Sequence, residues 1–238
     1  MKQEYLSDIE LYYSSNVIGG NLDLTGDESK HITKVMRHSL GDTLHATDGI
    51  GNYYETTISE ITKGRVKSSI RNIKKYKNEL ENIFFCFPRL KSSSRFEFEL
   101  EKSIELGITN YIIFNSERTI PKGEKLERWN KIALAAMKQS LRTYLPKIEY
   151  ANSLKNIGKY EVKKIFFDQK SKIELVDFLK ENKNDNEKLF FIFGPEGGLS
   201  SRELSFFENS KQLKLTNNRL RAETAVVTAA SVITLLRN

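Results

Sequence analysis

A chain of 238 residues is long enough for one large domain or two smaller ones, and 39% hydrophobic with 29% charged residues is ordinary for a soluble protein. No apolar run reaches bilayer length, and the single cysteine, Cys86, excludes an internal disulfide and lacks the companions of a structural zinc site. The 38 Lys and Arg against 31 Asp and Glu leave a net charge of +7, which favours a polyanionic partner such as nucleic acid.

The first fifteen residues alternate in charge and have no apolar signal core, so the chain reads as cytoplasmic. Residues 24–42 offer Thr25, Asp27 and Ser29 as caps for a helix rich in Lys, His and Arg that Gly41 closes. From 42 to 76 the pattern nearly alternates and is broken at Asp48-Gly49-Ile50-Gly51-Asn52 and Lys63-Gly64, which is hairpin punctuation. A small β-barrel domain over 1–74 follows, joined through the charged stretch KKYKNELEN to a second domain over 75–238. Tyr53 and Tyr54 are candidates to stack on bases, with one of the two facing the barrel core.

In the second domain strands alternate with helices. IFFCFP precedes a helix with Phe96, Leu100 and Ile104 four apart and Gly107 at its end. NYIIFNS, a helix from about 124 to 142, KIFFD, the helix SKIELVDFLKEN, a polar KNDNE linker and LFFIF follow. A helix after Ser200, a short QLKL strand, the loop TNNRLRAE and a small-residue helix close the chain. This order predicts an α/β domain with a mainly parallel, two-sided sheet. Cys86, inside an apolar strand, reads as a small buried hydrophobe. His31, His38 and His45 lack acidic or Cys companions, so no metal site is expected.

Two loops stand out. FGPEGGLSSREL, at the end of LFFIF, falls where a parallel sheet forms its ligand crevice. Gly194, Gly197 and Gly198 permit positive φ and close backbone approach, Pro195 stiffens the turn, and Ser200 with Glu203 forms a capping box. The loop has neither G-K-[ST] nor G-x-G-x-x-G, and Glu196 would repel a phosphate, so it suits a ligand that carries positive charge. S-adenosylmethionine, with its sulfonium and ammonium groups, is one. LTNNRLRAETA then places Asn217, Asn218, Arg219, Arg221 and Glu223 before the last helix. As surface capping chemistry this loop would be unremarkable, but two polar loops at one sheet edge point to a site.

These loops, about twenty residues apart, resemble the cofactor-binding signature of the SPOUT methyltransferases, in particular the RsmE family of 16S rRNA (uracil-N3) methyltransferases. EKSIELGITNYIIFNSERT, RWNKIALAAMKQSLRTYLP and HITKVMRHSLGD resemble other segments of that family in the same order, so the likeness spans essentially the whole chain. Thr216, Asn218, Arg219 and Ala222 stand where the family usually has Gly, Arg, Ile and Thr, while Arg221, Glu223 and Thr224 match.

The resemblance implies a C-terminal SPOUT domain with a deep trefoil knot, a PUA-like N-terminal barrel, a homodimer and no metal. It implies S-adenosylmethionine held by Phe193, Gly194, Pro195, Glu196, Gly197, Gly198, Leu215, Asn218, Leu220 and Thr224. Arg221 is the candidate to stabilise charge on the target base, with Glu223 holding its geometry. Lys30, Lys34, Arg37, His38, Arg89, Lys91, Arg95, Arg118 and Arg142 are candidates to grip the 16S rRNA of the small ribosomal subunit. The small face of the last helix, Ala225, Ala229 and Ala230, suits either a subunit interface or core packing. Other readings are a different SPOUT activity such as 2'-O-ribose methylation, a non-catalytic RNA-binding protein, and a doubly wound nucleotide-binding enzyme, against which the missing dinucleotide fingerprint counts.

Overall fold

The computed structural model describes residues 9–182, 186–207 and 210–237, and most of the predicted KNDNE linker lies outside them. The chain divides into two compact units, residues 1–78 with 137–145, and residues 79–136 with 146–238. The proposed 74/75 boundary thus lies close to the end of the first unit's main segment, and nothing in the sequence marked the second segment as part of that unit.

The first unit holds strands β1 (Leu11–Tyr13), β2 (Val17–Ile18), β3 (Asn21–Thr25), β4 (Thr43–Thr47), β5 (Asn52–Thr62) and β6 (Arg65–Lys75) in one sheet of order β1-β4-β5-β6-β3-β2. Only β1 pairs in parallel, with β4. Lys63-Gly64 makes the two-residue β5–β6 connection, with Gly64 at φ 81°. The predicted helix is shorter than expected. It forms as α1 (Gly26–Lys30), continues as a π-helical turn over His31–Val35, and stops where Arg37 enters the left-handed region at φ 58° rather than at Gly41. Thr25 occupies the N-cap position, but its side chain makes no capping hydrogen bond.

Tyr53 and Tyr54 are both buried, so the expectation that one of them would face bases is corrected. Successive residues of a strand point to opposite faces, and here both faces of β5 are covered. Tyr54 joins Tyr12, Leu22, Leu24 and Val66 in the barrel core, while Tyr53 packs with Leu11, Tyr76 and Leu141. Leu141 belongs to the adopted segment, which also pairs Tyr144 with Ile50 and packs its ring where a Cβ on Gly51 would stand. Gly51, at φ 102°, is therefore required both for conformation and for space.

The second unit is built on an all-parallel sheet of order β12-β10-β11-β7-β8-β9. Its strands are β7 (Ile83–Pro88), β8 (Asn110–Phe114), β9 (Lys147–Ala151), β10 (Lys163–Phe167), β11 (Leu189–Ile192) and β12 (Lys211–Leu213). Its helices are α2 (Ser93–Glu105), α3 (Leu126–Gln139), whose last residues count with the first unit, α4 (Leu154–Gly158), α5 (Leu175–Glu181), α6 (Ser201–Ser205) and α7 (Ala222–Arg237). β9 and α4 were not expected from the sequence. Both faces of the sheet are buried, as a parallel sheet requires. Phe85, Phe87, Ile113 and Phe191 face one core with Leu100, Trp129, Phe178 and Val226 from the helices, while Cys86, Ile112, Phe190 and Ile192 face another with Leu154, Ile157 and Phe207. Ala229 and Ala230 are fully buried in the first of these cores, so the small face of α7 serves packing within the chain.

Candidate active site

A pocket of about 630 Å³ opens at the carboxyl ends of β10 and β11, a size suited to a drug-sized ligand. Because neighbouring strands run parallel, their following loops all leave from one edge of the sheet, and the glycine loop meets the loop before α7 there. Phe166, Phe167, Ile192 and Phe193 supply an apolar floor, and Glu196, Asp168, Arg219 and Arg221 supply charge around it.

Backbone and side-chain hydrogen bonds set the shape of the glycine loop. Gly198 donates to the Pro195 carbonyl at 2.8 Å and takes φ 70°, the one position in this loop that needs the left-handed region. Gly194 and Gly197 do not use positive φ; at Gly194 the glycine serves close approach, since a Cβ there would press Leu199 at 3.4 Å. Arg118 donates to the Gly197 carbonyl at 2.7 Å, and Glu196 accepts from the Lys91 backbone N–H at 3.3 Å.

The capping box at Ser200 and Glu203 forms as predicted and does more than end a helix. Glu203 is buried, and its carboxylate accepts from the Ser200 and Glu117 N–H groups at 2.9 and 3.0 Å and from the Ser116 hydroxyl at 3.2 Å. One side chain therefore ties the loop after β8 to the loop after β11.

In the second loop Thr216 stands where the resembled family has glycine. Its hydroxyl accepts from the Asn218 N–H at 3.2 Å and donates to the Asn218 carbonyl at 2.9 Å, so a side chain closes the turn without positive φ. Arg219, Leu220 and Arg221 then line the pocket.

Of the residues expected to hold a cofactor, Phe193, Gly194, Pro195, Glu196, Gly198 and Leu220 line this pocket, Gly197, Leu215 and Asn218 stand in its two loops outside the lining, and Thr224 lies outside it in the first turn of α7. Arg221 lines it. Glu223 is buried, and its ion pair is with Arg95 at 3.6 Å rather than with Arg221. Arg95, expected on an RNA-binding surface, is itself a wall of the pocket. Phe166, Phe167, Asp168, Leu199 and Gln212 were missed. Phe166 and Phe167 end the strand paired with β11 and Asp168 follows it, a neighbourhood set by the strand order, which the sequence does not state.

Among the other basic candidates, Arg118 and Arg89 are engaged with backbone carbonyls, Arg89 with Lys122 at 2.7 Å. Lys91 is exposed, as are Lys30, Lys34 and Arg37 in the first unit. His38 lies 3.2 Å from Asp42. Arg142 is half-buried in the 137–145 segment of that same unit.

Two buried acids of different kinds are perturbed. Burial pushes the Cys86 thiol up, in keeping with an inert strand residue. Burial, reinforced by Glu223 and Glu196, pushes the Glu99 carboxyl well above the usual range. Among the described residues no group of three His, Cys, Asp or Glu side chains could hold a metal ion, and no helix is long and apolar enough to cross a membrane.

A parallel-sheet domain whose crevice is walled by these two loops is a ligand-binding α/β domain. The RNA methyltransferase domain model matches residues 77–234 and the RNA methyltransferase PUA domain model matches residues 24–71, so the chain belongs to the RNA methyltransferase family and carries a PUA domain ahead of the methyltransferase domain. Within that family it is similar to ribosomal RNA small subunit methyltransferase E of Bacillus subtilis (strain 168), 27% identical over 225 residues and 88% of each chain. The same enzyme of Rickettsia conorii is 25% identical over 232 residues and 95% of each chain. The crystal structure of a ribosomal RNA small subunit methyltransferase E from Neisseria gonorrhoeae bound to S-adenosyl methionine superposes with TM-score 0.83, at 24% identity and over 96% of this chain and 98% of that one. The last comparison shows the shared fold.

Proposed function

We propose that this protein methylates N3 of a uridine in 16S rRNA of the small ribosomal subunit, using S-adenosylmethionine, in the cytoplasm and as a homodimer. The observation that carries the reading is the single pocket wall formed by the glycine loop and the Arg219–Arg221 loop at one sheet edge. The pocket suits the donor: its volume is adequate, its floor is aromatic and apolar, and Glu196 offers negative charge to a cationic ligand. Phe193, Gly194, Pro195, Glu196, Gly198 and Leu220 would hold it. A bound sulfonium donor supplies an electrophilic methyl group, whose transfer to a ring nitrogen is an in-line displacement that needs alignment and exclusion of water.

The residues of this chain provide the rest. The aromatic floor would limit water at the transfer site. Loss of the N3 proton spreads negative charge onto the uracil oxygens, and the Arg221 guanidinium at the pocket wall stabilises it. Glu196 is our candidate to receive the proton. The target base must leave its stack to enter the pocket, and the exposed Lys34, Arg37 and Lys91 are candidates to hold the flanking backbone. The subunit interface would use the exposed side of α7, where Leu235 stands free of the core, since Ala229 and Ala230 are spent inside the chain.

The test is methyl transfer from labelled S-adenosylmethionine to unmodified small subunits and to free 16S rRNA, followed by nucleoside mass spectrometry. Label in 3-methyluridine is the expected result. Label in a ribose methyl would move the target to a different SPOUT activity, and donor binding without transfer to either RNA would overturn the substrate.

A further inference from the structure

The acid Glu99, on the face of α2 that packs against α7, has no part in the mechanism above. Its side chain is fully buried, and neither carboxyl oxygen has a hydrogen-bond partner. On α7, Glu223 is also buried, its Oε2 has no partner, and its Oε1 lies 3.6 Å from Arg95 Nε. Arg95 sits one helical turn before Glu99 and lines the pocket. Two buried carboxyl groups thus sit on the packed helices α2 and α7, and one of them pairs with a guanidinium at the pocket wall.

Three ionised groups there would leave a surplus negative charge away from water, which is far costlier than one neutral acid. The charges that act on Glu99 are Glu223 from α7 and Glu196 from the glycine loop, and both oppose its ionisation. A neutral Glu99 has one O–H to donate, and the unpartnered Glu223 Oε2 is an acceptor that needs one.

We propose that Glu99 is a positioning residue that works as an uncharged carboxylic acid: it donates its proton in a hydrogen bond to Glu223, which in turn holds the Arg95 guanidinium at the pocket wall toward an anionic group of the RNA substrate. This rests on the methyltransferase reading for what Arg95 meets, and not for the state of Glu99. When Glu99 ionises, it repels Glu223, and Arg95 loses its orientation.

The test uses the full-length protein and two kinds of readout. In carbon-13 NMR of glutamate-labelled protein, with E99Q assigning the signal, the Glu99 carboxyl is expected to remain protonated at neutral pH. A signal that titrates in the ordinary carboxylate range would overturn the proposal, whether or not the protein methylates RNA. In transfer assays with 16S rRNA and labelled S-adenosylmethionine, E99L is expected to lower kcat/KM for RNA by about tenfold or more, because the partner of a charged group is lost. E99Q, whose amide donates as the neutral acid does, is expected to restore it and to remove the fall of the wild-type profile with rising pH. Donor affinity by calorimetry should change little in either variant, and E99L should add nothing to R95A. Equal damage from E99Q and E99L, or additive losses with R95A, would sink the idea. Should the wild type transfer no methyl group, the nitrogen-15 signal of the Arg95 side chain decides instead: held in wild type and E99Q and released in E99L, or else the proposal is wrong.

Discussion

Arg221 at the pocket and Glu99 buried in α2 show how differently two side chains depend on their surroundings. Arg221 lines the pocket and is exposed, and the role proposed for it is to meet charge that develops only during reaction. R221A is therefore expected to lower turnover by about a hundredfold or more while the melting temperature stays close to wild type, as kinetics at saturating donor and RNA would show. Glu99 instead acts on stability. Burial raises its folded-state titration above the unfolded value, so it binds its proton where the unfolded chain has released it. Below the unfolded carboxylate range, about pH 4.3, both states are protonated and the group adds no pH dependence; as pH rises above that range the folded state alone keeps the proton, and stability is lost. E99Q removes the loss, so its gain in unfolding free energy should be larger near neutral pH than in mild acid, measured by denaturant titration at both.

The loops between elements carry strain and cohesion in separate residues. Gly198 alone in its loop needs the left-handed region, and G198A is expected to destabilise by about 1 kcal/mol and to weaken donor binding, since the turn must open to relieve it. Glu203 joins the loops after β8 and β11. E203A removes a helix cap and leaves buried donors unpaired, at a cost of about 2–3 kcal/mol, read as a lower denaturation midpoint with an unchanged slope. The cap itself is readable from Ser-x-x-Glu, because both partners lie within four residues. Its bonds to Ser116 and Glu117 bridge more than eighty positions of chain, and no local pattern encodes them. The α1 region shows the reverse case. Lys, His and Arg at helical spacing predict a helix to Gly41, yet the π-helical turn and Arg37 end it earlier.

For the molecule as a whole, the excess of positive charge predicts a salt-sensitive grip on RNA. Affinity for 16S rRNA should fall steeply and log-linearly with salt, while donor affinity should hardly change, which filter binding and calorimetry over the same salt series would show. Strand and helix periodicity, the turn at Lys63-Gly64, the capping box and the two site loops were legible along the chain, because each arises from contacts within a few residues. Which loops share a wall, which face of β5 is covered and which acid meets which arginine were not. The 137–145 segment buries Tyr53, Arg95 comes to the pocket from a helix more than a hundred residues before Arg221, and Glu223 takes Arg95 rather than Arg221. Those pairings follow from the order of parallel strands and the packing of α2 on α7, and a single sequence states neither, since nothing local distinguishes a charged residue that faces water from one that faces a partner across the fold.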